Sequence, residues 1–397
     1  MATFSVRFLG CKVSFVDAQL SRERLLGDGH EEREGAAEVA VVNTCCVTHE
    51  AVSKSRQAAA RAARTHRRVY VTGCASNLDG AFEGLPENVH VVAQTGADAA
   101  ATIAGDVGAL ACVQSEPRLG RTRAFVKIQD GCSFSCAFCV IPLVRGGTRS
   151  RRAEMILAEV RRRTAQGHRE IVLTGVNLGC FRDREAGYTL PRLIREVGAI
   201  PGVERLRLSS IEVNHVTGEL VSALEETETV SAHLHVPLQS GDDRLLGAMR
   251  RRYRVEQYLA RVAPLVRFNL TTDVIVGFPG EDDAAFERTL EVVRAAGITK
   301  VHVFPYSPRP GTATAADDTV PEAVKRERSA RLRSLSDELC RKRWQSRVGT
   351  IDRVLVDRPG RGYADDYTPW LLDAPVGELV LARALGLSEE GILAAAA

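Results

Sequence analysis

Lysine is nearly missing from this chain of 397 residues: only six of its 53 basic residues are lysine, so the positive charge rests on arginine. Aromatic residues make up 5% and the formal net charge is +3. That balance excludes a protein that coats nucleic acid by overall charge, and any anionic partner has to be met by local patches. Long apolar runs are also lacking. No stretch approaches the roughly 18 consecutive apolar residues of a membrane helix, so no membrane association is expected. The opening residues, MATFSVRFLGCKV, lack a charged segment leading into an apolar one, and no secretory signal is expected.

Cysteine is what the chain holds in quantity, with ten residues. Without a secretory signal, ten thiols point to the reducing cytoplasm and to metal binding rather than disulfides. An apolar content of 45% and a charged content of 26% suit an ordinary globular chain. The length predicts roughly two to three domains.

Three of the thiols, Cys132, Cys136 and Cys139, are spaced C-x₃-C-x₂-C. An alternating strand (Ala124, Val126, Ile128) runs into Asp130-Gly131, and the cysteines follow. Three thiolates on one short loop can bind three irons of an iron–sulfur cube and leave the fourth iron without a protein ligand. A structural zinc site is normally closed by four ligands, and a simple electron-transfer cluster by four cysteines. Three ligands with no nearby fourth Cys or His therefore predict an open coordination position. The competing reading, three buried cysteines in an ordinary loop, fits poorly with thiols flanked by Gly and Arg. With Phe138 just before the third cysteine, the loop resembles the radical S-adenosylmethionine (radical SAM) superfamily. The resemblance implies that the open iron is chelated by the amino and carboxylate groups of SAM. It also implies that an electron from the cluster cleaves the sulfonium to a 5′-deoxyadenosyl radical.

A second set is spread along the first hundred residues. Strand-like runs at Thr3–Leu9, Val39–Val42 and Val69–Val71 end at Gly10-Cys11, Asn43-Thr44-Cys45 and Thr72-Gly73-Cys74. Helical stretches near 16–26 and 51–66 lie between them. Strands alternating with helices predict a parallel α/β sheet, whose ligands bind beyond the carboxyl ends of the strands. Each strand delivers one cysteine there, so Cys11, Cys45 and Cys74 form a second candidate three-thiolate site, weighed against three small buried residues. Cys46, Cys112, Cys180 and Cys340 are read as structural thiols. LGCKV, NTCCVT and VTGC resemble the N-terminal domain of the methylthiotransferases, which pair it with a radical SAM domain. By that resemblance Cys11, Cys45 and Cys74 hold an auxiliary [4Fe–4S] cluster, the second of two, whose open iron takes part in sulfur insertion. Ser14 departs from the family, which more often has Asn there, and Cys46 beside Cys45 is unusual.

From 124 to about 345, six strand–helix units are expected, with strands near 124–128, 170–174, 204–209, 232–236, 270–276 and 299–304. Six units predict a partial β/α barrel whose active face is lined by residues after the strands. Those ends are polar or glycine-rich, and HVPLQSG, DVIVGFPGE and YSPRPGT are similar to the methylthiotransferase radical SAM core. The resemblance places SAM against Gly175, Ser210, Glu212, Gln239 and Gly277. Leu143 and Gly146-Gly147 depart slightly from the family pattern. The implied chemistry takes a hydrogen from an unactivated C–H bond, delivers sulfur from the second cluster, and draws a methyl group from a second SAM. No acid–base side chain is assigned a catalytic role. The nine histidines are scattered, and His233 and His235 on one strand are read as structural.

Residues 321–347 read as a long basic helix. Beyond Val348, short strands at Ile351–Val356 and Glu378–Ala382 flank PGRGYADDYTPW and resemble a shortened RNA-binding β-barrel, with the final LSEEGILAAAA expected to be disordered. The candidate RNA patches are Arg145–Arg152, Arg250–Arg254 and Arg341–Arg347, with Tyr363, Tyr367 and Trp370 for base stacking.

The expected architecture is therefore an α/β chain in three parts. An N-terminal parallel-sheet domain spans 1–112, a six-unit radical SAM barrel 118–346, and a small β domain 347–397. The resemblance implies a methylthiotransferase, most like the branch acting at C2 of threonylcarbamoyladenosine beside the anticodon of tRNA. It would act as a monomer on the anticodon stem-loop, with an electron donor and a sulfur source. The competing readings are the isopentenyladenosine branch, the branch that modifies a ribosomal-protein aspartate, and a non-catalytic iron–sulfur RNA-binding or redox-sensing protein.

Overall fold

Val39–Thr44 is buried at every residue, as a central parallel strand covered on both faces should be. In the structure, a computed structural model that describes residues 1–35, 37–109 and 122–397, this strand lies at the middle of a five-stranded parallel sheet. The order is Glu31–Glu32, Thr3–Phe8, Val39–Thr44, Arg68–Gly73, Val89–Val91. Side chains alternate across a strand, and the two faces build two cores. Val39 and Val41 join Phe4, Tyr70, Leu25 and Ile103. Ala40 and Val42 join Val69, Val71, Ala58 and Ala59. Helix Lys12–Gly27 starts directly after Cys11, its N-cap residue, which is earlier than the pattern of the sequence predicts. Helix His49–Ala63 is capped by Thr48, whose side chain accepts from the Ala51 amide.

The described residues fall into two compact bodies. One holds residues up to 109 with 130–148 and 307–315; the other holds 122–129, 149–306 and 316–397. The first cysteine loop thus belongs to the same body as the N-terminal sheet, which a contiguous division at 112 and 118 does not foresee. The reason is apolar: Val140 and Val144, just after the loop, bury into the core of Val42, Val71, Cys46 and Cys74.

In the second body all six expected strands are present, at Arg123–Lys127, Glu170–Thr174, Arg205–Leu208, His233–His235, Asn269–Val276 and Ile298–Pro305. They pair in parallel as two three-stranded sheets, joined by a bridge between Leu206 and Val230. Helices such as Ala153–Ala165 and Asp283–Ala295 pack on one side, and Leu173, Leu206, Leu234, Val274 and Val301 share their core. The helix Glu322–Gln345 is partly embedded, with Lys325, Leu332 and Leu335 buried.

The tail is a closed barrel of five strands, Ile351–Arg358, Arg361–Tyr363, Pro369–Leu371, Ile392–Ala396 and Leu379–Leu387. This corrects two expectations. PGRGYADDYTPW contributes two strands of its own, and the terminal ILAAA is a strand paired on both sides. Its alanines carry little sequence signal, but they fit where strands curve tightly around Trp370, which is completely buried. Among the described residues no helix is long and apolar enough to cross a membrane.

Candidate functional site

The N-terminal sheet brings Cys11, Cys45 and Cys74 to one edge because each follows a strand in the same parallel direction. The thiols lie within electrostatic reach of one another: burial pushes the Cys45 pKa up to about 11, with smaller contributions from Cys74 and Cys11. The backbone around them is tight. Gly73 has φ +97°, and a β-carbon there would lie 2.7 Å from the Thr44 amide nitrogen. A β-carbon at Gly10 would lie 3.0 Å from that of Cys45. Ser14 is fully buried, its hydroxyl 3.8 Å from Cys11 Sγ. Cys46 is fully buried as well. Its thiol hydrogen-bonds Cys74, which raises the Cys46 pKa, with burial adding to the effect.

The loop bearing Cys132, Cys136 and Cys139 is closed by its own backbone. The Cys132 amide donates to the Gly146 carbonyl at 3.0 Å. The Ser133 amide donates to Thr148 Oγ1 and the Thr148 amide to Ser133 Oγ, each at 3.0 Å. Gly131 has φ +67°, and a β-carbon there would lie 2.1 Å from the Gly147 carbonyl oxygen. The Phe134 amide donates to Cys132 Sγ at 3.4 Å. All three thiols are partly exposed.

Arg145, counted with a surface patch in the sequence, is in fact a buried cation of this body. Its Nη2 donates to Asp17 Oδ2 at 2.7 Å, its Nη1 to Asp130 Oδ1 at 3.0 Å and its Nε to Cys74 Sγ at 3.0 Å. The rigid fork of a guanidinium lets one side chain meet three partners. Burial pulls the Arg145 pKa down, but Asp17, Cys74 and Asp130 outweigh it and hold the group charged. The Cys74 pKa falls to about 7, first through the hydrogen bond from Cys46 and then through Arg145. Arg145 therefore couples the segment after one cysteine set to a thiol of the other. The only sequence signal was its position at the end of an apolar run, VIPLVR. On donor chemistry the two sets fit iron–sulfur ligation: each offers three thiols on constrained backbone, and a fixed cation stands beside one thiolate.

The residues placed against SAM by resemblance all lie in the second body, after the strands of the barrel. Gly175 is pressed on Gln129, whose carbonyl oxygen would be 3.0 Å from a β-carbon there. Gly277 has φ +71° and covers the stem of Lys325; its amide donates to Glu281 Oε2 at 2.6 Å. Protein packing thus accounts for both glycines. Glu212 receives bonds from Asn214 and Arg251. Gln239 holds φ +69°, a left-handed conformation that costs a non-glycine residue free energy. Its backbone bridges Asp273 and Ile275. Ser210 is partly buried after Arg205–Leu208. Cys180 meets His215, with Sγ and Nε2 3.4 Å apart, Cys340 is buried, and Cys112 lies outside the described residues.

The expected stacking residues of the tail serve another purpose. Trp370 is internal. Tyr363 and Tyr367 stack on each other at 4.9 Å, with Arg123 over both rings. Arg207 lies over Tyr367 and donates to the Ala364 carbonyl at 2.7 Å. Arg205 donates to the Tyr363 carbonyl at 3.0 Å. Glu170 receives Arg123, Arg205 and Arg207. Burial works against its charge, but the three cations hold its pKa below the usual range. Arg343 and Arg347 pair with Asp366, and Arg347 also with Asp352. These groups fasten the tail barrel to the central barrel, which leaves Arg149, Arg152, Arg250, Arg252, Arg254 and Arg341 as the exposed arginines of the three basic runs.

Comparison with known proteins agrees with this layout. A family model described as the radical SAM superfamily matches residues 126–293, and one described as uncharacterized protein family UPF0004 matches 3–93. A threonylcarbamoyladenosine tRNA methylthiotransferase of Chlamydia pneumoniae is 34% identical, covering 98% of this chain and 97% of that protein. A tRNA-2-methylthio-N6-dimethylallyladenosine synthase of Streptomyces viridosporus is also 34% identical, covering 92% of this chain and 78% of that protein. A radical S-adenosylmethionine methyltransferase from Kitasatospora setae shares the fold, with a TM-score of 0.57 at 14% identity, over 79% of this chain and 76% of that one. Two cysteine sets in one body, a six-strand partial barrel and relatives matched from end to end lead to one conclusion: the chain belongs to the radical SAM methylthiotransferase family.

Proposed function

We propose that this protein converts N6-threonylcarbamoyladenosine, beside the anticodon of tRNA, to its 2-methylthio derivative. The observation that carries the reading is similarity along the whole length: this chain and the Chlamydia relative cover 98% and 97% of each other. The dimethylallyladenosine reading has support too, at equal identity, but there the chain spans 78% of the relative.

Cys132, Cys136 and Cys139 would hold one [4Fe–4S] cluster and Cys11, Cys45 and Cys74 the other. When bound, the clusters and SAM supply one-electron cleavage for hydrogen abstraction at C2, a sulfur atom and, from a second SAM, a methyl group. The chain's own contribution is positioning and charge. Gly131 and the reciprocal Ser133–Thr148 bonds fix the first set. Arg145 offsets thiolate charge at Cys74. Ser210, Glu212 and Gln239 offer polar groups to SAM, beside Gly175 and Gly277. The exposed Arg250, Arg252 and Arg254 offer charge to the phosphates of the anticodon stem-loop. The protein acts as a cytoplasmic monomer, supplied by a separate electron donor and sulfur source.

The test is mass spectrometry of nucleosides from total tRNA with and without the gene. Loss of 2-methylthio-N6-threonylcarbamoyladenosine, with its unthiolated precursor accumulating, is expected. An unchanged level of that nucleoside, with loss of the dimethylallyl analogue, would move the chain to the other branch.

A further inference from the structure

His235, Asp273 and His302 come from three neighbouring parallel strands of the barrel. Asp273 is in register with His302, and His235 with Thr271, two residues before Asp273. Leu270, Val274 and Val276 of the central strand turn toward the helix-packed core. Side chains alternate along a strand, so Thr271 and Asp273 turn to the opposite face, which His235 and His302 share by register. The imidazole rings of His235 and His302 stand 5.4 Å apart across the middle strand, and His235 Nε2 lies 3.1 Å from Asp273 Oδ1. One donor atom from each of the three residues falls within 4.8 Å of the others.

We infer that these three side chains form a binding site for a divalent first-row transition ion, distinct in place and donor type from both cysteine sets. Two imidazole nitrogens and a carboxylate oxygen suit zinc and its neighbours. Bonds of about 2.0–2.2 Å place tetrahedral ligand atoms roughly 3.3–3.6 Å apart. The His235–Asp273 pair is already near that spacing. Closing the remainder takes rotation of His302, which is exposed on the edge strand of its sheet. Three protein ligands leave a position for water, as in zinc sites that keep one open.

The surroundings orient the inner ligand. Thr271 Oγ1 lies 2.9 Å from His235 Nδ1 and 3.0 Å from His233 Nε2. A hydroxyl has one proton to give. Donating to His233, Thr271 accepts from the Nδ1–H of His235, which frees the Nε2 lone pair to face the ion. Donating to His235 instead, it leaves an Nε2–H that donates to Asp273. Rotation of one hydroxyl thus switches the pair between a hydrogen bond and a ligand set, the role that outer-sphere partners play for metal-bound histidines. His233 and His235, read as structural in the sequence, become an outer partner and a ligand.

The test uses the cluster-loaded protein, handled without oxygen, equilibrated with zinc and freed of loosely held metal. About one zinc per chain is expected in the wild type, and at least ~10-fold weaker retention in His302→Ala and Asp273→Asn, a loss on the scale seen when metal-site residues are changed. Iron content, measured in the same samples, checks that the cysteine sites are intact. The zinc absorption edge should show nitrogen and oxygen neighbours near about 2.0–2.1 Å and no sulfur near about 2.3 Å. Equal retention by both variants, a sulfur neighbour, or no retained zinc would overturn the site. None of these readouts depends on the tRNA product.

Discussion

Two buried arginine networks divide the work of this molecule, and they differ in what their guanidiniums meet. Around Arg145 one guanidinium faces Asp17, Asp130 and the Cys74 sulfur, so anions outnumber the cation. Around Glu170, three guanidiniums, from Arg123, Arg205 and Arg207, converge on one fully buried carboxylate; Arg205 also pairs with Asp365 and Arg123 with Asp357, and further donors go to backbone carbonyls and tyrosine faces of the tail. Crowding there shows in Arg205, whose pKa burial and then Arg207 pull down to about 10. The first network holds a thiolate; the second holds two folded parts of one body together. Arginine clustering in the sequence does not distinguish such uses from an RNA-binding surface: Arg145, Arg343 and Arg347 fall in runs that read as RNA patches, while Arg123, Arg205 and Arg207 carry no clustering signal.

The largest effect is expected at Arg145. Replacing it by leucine takes the guanidinium away from the buried Asp17, and breaking a buried pair from one side costs about 3–5 kcal/mol. Arg145→Leu should therefore lower the unfolding midpoint, reduce iron retained by Cys11, Cys45 and Cys74, and abolish the methylthiolated nucleoside. Arg145→Lys keeps the charge but not the fork and should fall between. Iron content and product unchanged in Arg145→Leu would reduce this network to the structural kind.

Glu170→Gln comes next. It takes the fully buried carboxylate from all three arginines, leaving Arg205 with Asp365 and Arg123 with Asp357, at a cost of about 3 kcal/mol. The expected outcome is a lower unfolding midpoint with product formation retained at temperatures where the protein stays folded. Loss of product in the folded variant would break the contrast by giving the second network a part in the reaction.

The two cysteine sets explain how far the sequence could be read. Cys132, Cys136 and Cys139 share one loop, so their spacing alone carries the motif. Cys11, Cys45 and Cys74 were legible only through topology, because a parallel sheet delivers the residue after each strand to the same edge. The six barrel strands were legible from apolar runs ended by glycine or polar residues. Four things were not. Arg145 is charged and buried, and its partners are distant in sequence. Tyr363, Tyr367 and Trp370 have the composition of a stacking surface, but packing turned them inward. The last strand is alanine-rich, and its partners supply the order. Assigning loop 130–148 to the N-terminal body also escaped sequence reading, because it depends on which apolar surface Val140 and Val144 meet.

The smallest and most specific effect should come from Asp366 in the second network. Its Oδ1 accepts from the Thr368 amide and hydroxyl, and its Oδ2 from Arg343 at 2.7 Å. Burial works against the charge, but Thr368, Arg347 and Arg343 hold the pKa below the usual carboxylate value. A pKa lowered on folding means that the folded state favours the ionised form. The stabilisation is then fully present above the unfolded value of about 3.9 and disappears as pH falls through the folded one. Asp352 runs the other way, its pKa raised by burial, so its protonation favours the folded state as pH falls. Asp366→Asn should thus cost about 2 kcal/mol near neutral pH, the scale of a hydrogen bond to a charged group. The gap to the wild type should close as the solution is taken below about pH 4. Unfolding midpoints of both proteins across that range decide it: a gap that stays constant with pH would mean that Asp366 holds the tail by shape and not by charge, and the charge pairing of the second network would then rest on Glu170, Asp357 and Asp365 with their arginines.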